Sequence, residues 1–309
     1  MRSVAIPGPV LLCAAFACAG AQSTPPAEDA QPYQISVSLD LVALQATVSD
    51  RKGGFASDLR EQDFQVYEDG ARQSIRLFRH EDVPVTVGLV VDHSGSMKRK
   101  LPDVVAAARM FVRSSNPEDQ MFVVNFNDKA TLGLPEGIAF SDRADELDAA
   151  IGKIPAEGET ALYDAVSAAL DRLKSGNREK KVLIVISDGG DNKSLLNLPS
   201  VLKMAGESNA VVYTIGIFEP DDPDKNPDVL RKLARATGGE AYFPGEFSEV
   251  SAICERIATD IRHQYTIGYV STNTVKAAGY RAVRVVAKSG GKDLVVRTRT
   301  AYFAGEGAK

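Results

Sequence analysis

The sequence predicts an α/β fold: a doubly wound, mostly parallel sheet covered by helices, with a small β-sandwich formed by the N- and C-terminal flanks. Three observations carry this reading. From Pro84 onward, apolar runs of strand length alternate with segments of helical period, the pattern of a parallel sheet buried on both faces. Two of those runs, Val85–Val91 and the continuously apolar Val182–Ile186, stop at an acid, Asp92 and, one residue on, Asp188. Before residue 81 and after Ile261 the apolar period falls to two, as in half-buried antiparallel strands.

At the N-terminus, Arg2 precedes an apolar, alanine-rich stretch, and Ala19-Gly20-Ala21 before Gln22 has the small-x-small layout of a signal-peptide cleavage site. Pro7 and Pro9 argue against a buried helix here. Residues 1–21 are therefore read as a signal peptide and 22–33 as a linker. The chain is expected to be exported, periplasmic or secreted, with lipidation at Cys18 as the alternative. No transmembrane helix is expected in the mature chain, because no other stretch is long and apolar enough.

Residues 34–82 read as the first half of a β-module. Ile35, Val37, Leu39 and Leu41 lie on one phase and Val42, Leu44, Ala46 and Val48 on the other, so a bulge or a change of face is expected near 41–42. Asp50 to Gly54 is a turn, a strand runs to Glu68, and Asp69-Gly70 is a hairpin signal before Ile75 and Leu77.

Residues 83–263 form the α/β domain. Strands are expected at 85–91, 121–126, 182–187, 211–217 and 240–243, with an antiparallel edge strand within 128–140. Helices are expected at 99–114, 143–153, 161–174, 198–206, 227–237 and 247–263. Asn226-Pro227 is a helix cap followed by a first-turn proline, and Gly238-Gly239 is a stop.

Residues 264–309 return to alternation at 265–270, 280–287 and 294–300, with Ser289-Gly290-Gly291 as a turn. Three strands bury a face poorly on their own, so they are expected to pack with residues 34–82 into one sandwich. The α/β domain then becomes an insertion between its halves; two independent flanking hairpins are the alternative.

Composition bounds the function. With 309 residues, 44% hydrophobic and 25% charged, the chain buries a sizeable core in two modules. A net charge of -5 and the lack of a Lys/Arg-rich tract argue against a nucleic-acid partner. Cys13 and Cys18 fall in the signal segment, which leaves Cys254 alone and no internal disulfide. Cys254 shares a helical face with Val250, Ile257 and Ile261 and reads as a small core residue. His80, His93 and His263 are scattered without zinc-hydrolase spacing, and His93 is expected to face away from the loop that follows Asp92 or to rim it. The acidic run Asp221–Asn226 lacks the turn glycine and distal glutamate of a calcium loop and reads as solvated.

The candidate site begins at Asp92-His93-Ser94-Gly95-Ser96. A carboxylate and two hydroxyls are hard oxygen donors suited to Mg²⁺, and Gly95 is expected to let the backbone turn between the serines. A simple helix cap is the competing reading of this segment. Two later segments favour the metal: Gly158-Glu159-Thr160 brings another hydroxyl to the start of a helix, and Asp188 ends the second apolar run. Ligands in open α/β sheets gather beyond the carboxyl ends of the strands, where Asp92 and Asp188 can lie side by side.

The set Asp92-x-Ser94-x-Ser96, Thr160 and Asp188 resembles the metal-ion-dependent adhesion site of von Willebrand factor type A domains, over about residues 83–263. The resemblance implies a Rossmann-like sheet and one Mg²⁺ or Mn²⁺. Ser94, Ser96 and Thr160 would supply hydroxyls, Asp92 and Asp188 would bind directly or through water, and one position would stay open for a ligand carboxylate. Glu159 departs from the glycine common before that threonine. The segments Asp63 to Gly70 and Tyr265 to Tyr269 resemble those flanking this domain in a secreted bacterial group common in acidobacteria.

The expected function is an exported, metal-dependent protein-binding or adhesion module, and not an enzyme, whose partner carries an exposed Asp or Glu. One alternative is a Mg²⁺-dependent hydrolase or phosphoryl-transfer enzyme, for which the sequence offers no phosphate-binding loop with lysine and no obvious general base. The other is a structural or assembly protein with a stabilising metal.

Overall fold

The structure is a computed structural model and describes residues 41–218, 224–246, 248–273 and 278–305. The signal peptide and linker expected at 1–33, the alternating residues 34–40 and residues 221–223 of the acidic run lie outside these.

Among the described residues four strands come first: β1 (Leu41–Ser49), β2 (Phe64–Glu68), β3 (Ala71–Gln73) and β4 (Ile75–Arg79). The α/β domain opens with β5 (Val85–Asp92), α1 (Leu101–Ser114), β6 (Gln120–Phe126), β7 (Ala130–Leu132), α2 (Ala144–Ile151) and α3 (Leu162–Lys174). It continues with β8 (Lys180–Ser187), α4 (Leu198–Glu207), β9 (Ala210–Gly216), α5 (Pro227–Thr237), β10 (Ala241–Tyr242) and α6 (Ser248–Arg262). Five strands follow: β11 (Tyr265–Val270), β12 (Gly279–Ser289), β13 (Lys292–Asp293), β14 (Val295–Arg297) and β15 (Ala301–Ala304).

The central sheet has the order β10-β9-β8-β5-β6-β7, parallel throughout except for β7, which lies antiparallel on the edge beside β6. Every residue of β5 and β9 is buried, which is why these segments are predominantly apolar rather than alternating. The chain leaves β5 to one side for β6 and returns on the other side as β8. The crevice beyond the carboxyl ends of β5 and β8 is therefore the topological switch point.

Local chemistry sets the helix ends. The Asn226 side chain accepts the Val229 N–H at 3.3 Å with Pro227 in the first turn, and Gly238 ends α5 at φ 83°. A Cβ at Gly238 would lie 2.4 Å from the Thr298–Arg299 backbone, so this glycine also lets the C-terminal flank pass close. Cys254 is buried, and burial pushes its thiol up to about 12, as suits a core residue.

The sandwich draws both sheets from both flanks. One is ordered β14-β1-β11-β4; the other contains β13-β12-β2-β3, with β15 also on β12. Leu44, Ala46 and Val48 point into the core while Leu41 is exposed, so from residue 42 the even positions of β1 face inward. Asp69 (φ 47°) and Gly70 (φ 83°) make the hairpin turn between β2 and β3.

Two readings of the sequence need correction here. Ile75 and Leu77 do not belong to the return strand of that hairpin: β3 ends at Gln73, and the chain crosses to the other sheet as β4 beside β11. The expected strand 294–300 shortens to β14, which pairs with β1; residues 298–300 leave the strand, and β15 beyond them turns back onto β12. Alternation tells which residues face a core, but both inner faces of a sandwich carry the same pattern.

The two modules meet along the end of α6. Buried Asp260 accepts the Thr47 hydroxyl of β1 at 2.6 Å and pairs with Arg297 of β14, which also reaches Glu240 at 3.2 Å. His80 stacks on Tyr265 at 4.2 Å and His263 on Phe55 at 5.4 Å, so both histidines pack at this junction.

Candidate metal-binding site

Parallel pairing of β5 and β8, with Val91 opposite Ile186, brings Asp92 and Asp188 out at adjacent strand ends. Both are fully buried. Asp92 accepts the Ser187 hydroxyl at 2.6 Å and the Ser94 N–H at 2.9 Å. Asp188 accepts the Ser96 hydroxyl at 2.7 Å and the Gly190 N–H at 3.1 Å, and the Ser94 and Ser96 hydroxyls stand 3.1 Å apart. Asp92, Ser94, Ser96 and Asp188 thus belong to one hydrogen-bonded group.

Thr160 arrives buried on the loop before α3, and its ties run through its backbone. Its N–H donates to Asn192 Oδ1 at 2.8 Å, and its carbonyl accepts the N–H groups of Asn192 and Lys193 at 3.0 and 3.1 Å. The same loop is sewn to the β5 loop by Gly95 N–H to Gly158 O at 3.0 Å and Glu157 N–H to His93 O at 3.0 Å. Gly95 has a different role from the one expected. Its φ is not positive, and a Cβ there would stand 3.1 Å from the Gly158 carbonyl, so it serves the close approach of two loops rather than a turn between serines.

The electrostatics follow from burial. Burial first, and the Asp188 carboxylate second, push Asp92 up to about 7, against the pull of the Ser187 and Ser94 bonds. Lys100, itself buried, places its ammonium 3.7 Å from Asp188. The donor set suits a hard divalent cation: a serine hydroxyl that gives its hydrogen to a carboxylate keeps lone pairs to offer. Among the described residues no group of three His, Cys, Asp or Glu side chains gathers as a zinc centre would require.

His93 faces away from the site rather than rimming it. Its ring is buried, Nε2 lies 3.0 Å from the Ile151 carbonyl at the end of α2, and burial holds its pKa below the ordinary value. Glu159 projects outward and pairs with Lys193 at 2.6 Å.

Sequence reasoning did not single out Ser187, Lys100, Asp128 or Asp191. Ser187 bonds Asp92 across 95 positions, and Asp128 accepts the Glu159 N–H at 2.7 Å. Asp191 accepts the Tyr163 N–H at 2.9 Å and the Ser194 hydroxyl at 2.6 Å. Only Asp191 left a local signal, as a second acid three residues after Asp188 at the end of β8.

Sheet and crevice together define a doubly wound α/β domain with its candidate site at the switch point. The von Willebrand factor type A domain matches residues 86–256, more than half of the chain, and the chain belongs to that family. An uncharacterized protein of Synechocystis is 27% identical over 167 residues, covering 52% of this chain. The match spans only 38% of that curated relative's length. A solved von Willebrand factor type A structure from Catenulispora acidiphila superposes with TM-score 0.52 at 16% identity, over 79% of this chain and 74% of that one. The corresponding domain of the type V pili tip protein Mfa5 from Porphyromonas gingivalis gives TM-score 0.49 at 14% identity, over 58% of this chain and 95% of that one. Domains of this family are typically protein-interaction or adhesion modules and generally not enzymes. Among the described residues no helix is long and apolar enough to cross a membrane.

Proposed function

We propose that this chain is an exported, divalent-metal-dependent protein-binding or adhesion module. In this reading Asp92, Ser94, Ser96, Thr160 and Asp188 hold one Mg²⁺ or Mn²⁺, and an acidic side chain of a partner protein completes the shell. The observation that carries the reading is the pair of fully buried carboxylates, bonded to hydroxyls, at the switch point. Buried anions side by side are costly unless a cation compensates them. When bound, the metal supplies a Lewis-acidic position that a carboxylate can occupy. The family's usual role in protein interaction supports the same reading, and the layout of residues 1–21 supports export.

Thr160→Ala removes a hydroxyl from a loop rather than core packing, so it is expected to weaken partner capture more than folding. The test is capture of envelope and secreted proteins of the source organism with Mg²⁺, with chelator and by Thr160→Ala, followed by affinity measurement on the captured protein. Equal affinity in all three arms rules the mechanism out. Complete unfolding in chelator would favour a purely structural metal instead.

A further inference from the structure

Among the described residues Leu195 is the most exposed large apolar side chain, at 96%, on the loop between β8 and α4. A single surface leucine is ordinarily unremarked. This one differs in how its backbone is held. Its N–H donates to Asp164 Oδ2 at 2.9 Å, and the next N–H, of Leu196, donates to Asp164 Oδ1 at 3.0 Å. Just before it, the Ser194 hydroxyl donates to Asp191 at 2.6 Å while accepting the Asp164 N–H at 3.1 Å. Just after it, Asn197 caps α4 by accepting the Ser200 N–H at 3.0 Å. The inward position is taken by Leu196, which packs on the domain core. The local fold thus gives Leu195 a fixed place and asks nothing apolar of it.

That place adjoins the candidate site. Asn192 and Lys193, three and two positions earlier, donate their N–H groups to the Thr160 carbonyl, and Lys193 pairs with Glu159 beside Thr160. Thr160, the Glu159–Lys193 ion pair and Leu195 therefore lie on two loops clamped to one another. A hydrophobic side chain on an already ordered loop buries area on binding without a large ordering cost.

We propose that Leu195 is the apolar anchor of the interface whose polar centre is the metal site, so that the partner presents its carboxylate beside an apolar patch that receives this side chain. The ion pair would sit at the rim. The inference rests on the metal-dependent reading above and adds the chemistry that selects one acidic surface over another.

The test uses a displayed library of random peptides, each with one fixed glutamate, selected on the wild-type protein in Mg²⁺. Enriched peptides are expected to carry apolar residues at constant spacing from the glutamate. A synthetic peptide of that sequence is expected to bind Leu195→Ser at least about tenfold more weakly, while Mg²⁺ titration of that variant matches wild type. Peptides that need Mg²⁺ and glutamate but bind Leu195→Ser equally well overturn the anchor and leave the metal reading standing. Peptides indifferent to Mg²⁺ and to the glutamate overturn both. Concentration-dependent dimerisation of wild type that Leu195→Ser abolishes would assign the side chain to a second copy and overturn the proposal.

Discussion

Two buried acids in this molecule meet the cost of burial in opposite ways. Glu68, in the sandwich, accepts the hydroxyls of Tyr269 and Tyr302 at 2.8 Å each, the Ser271 hydroxyl, and the Arg281 guanidinium at 3.0 Å. Burial pushes its carboxyl up, but these donors together outweigh burial and hold it below its ordinary value of 4.5. Asp92, in the α/β domain, has Ser187 and Ser94 as donors and another carboxylate as a neighbour, and is pushed up to about 7. Glu68 is electrostatically complete within the chain. Asp92 is not, and an incomplete buried charge in a crevice points to something the chain receives.

The largest expected effect breaks the candidate site to which the incomplete acid belongs. Asp188→Asn is expected to lower Mg²⁺ and Mn²⁺ affinity by at least about a hundredfold, measured by calorimetry; unchanged binding would sink the assignment of the site. Next comes the complete member. Glu68→Gln removes the charge that four donors serve and is expected to destabilise the protein by roughly 3 kcal/mol in urea unfolding, with metal affinity unchanged. The pH dependence sharpens this. Because the folded carboxyl lies below its ordinary value, its stabilisation is present above pH 4.5 and is lost as pH falls through the folded value. The difference between wild type and Glu68→Gln should therefore be full at neutral pH and shrink below about 4.5. A difference that grew on acidification would contradict the argument.

The same contrast explains what could be read from the sequence. Asp92 and Asp188 were legible because parallel strands buried on both faces announce themselves as apolar runs, and the acid that ends such a run marks the carboxyl edge of the sheet. Glu68 and Tyr269 stand in the two flanking segments, one on each side of the α/β domain. That the segments share a sandwich was expected, but nothing local showed that these two side chains meet, as they do at 2.8 Å across 201 positions. Ser187 escaped for the same reason: a serine before an acid is unremarkable until parallel pairing sets it against Asp92. The crossing at Ser74 and the break after Arg297 were hidden because alternation fixes a face and leaves the choice of sheet to the turns.

A smaller effect tests the support of the incomplete acid. Ser187→Ala deletes the 2.6 Å bond to Asp92 and is expected to cost about 1.5 kcal/mol without metal and to weaken Mg²⁺ binding about tenfold, measured by denaturation in chelator and by titration. An unaltered metal affinity would show that Asp92 needs no help in keeping its orientation.

The smallest effect is the most discriminating, because its sign is opposite to that at Glu68. Asp92→Asn keeps the shape of the side chain: the amide oxygen can still accept the Ser94 N–H, and its NH₂ can donate to Ser187, whose hydroxyl rotates to accept. It removes one of two adjacent buried anions. In chelator the variant is therefore expected to be about 1 kcal/mol more stable than wild type, whereas Glu68→Gln is destabilised under every condition above pH 4.5. Adding Mg²⁺ should then reverse the order, since only a protein that binds the ion gains stability from it, growing as the logarithm of ion concentration over Kd. Thermal melts of both proteins across a Mg²⁺ series read the crossing directly. If Asp92→Asn were less stable than wild type in chelator, the carboxylate would be complete without a metal, and the distinction between the two buried acids would fail.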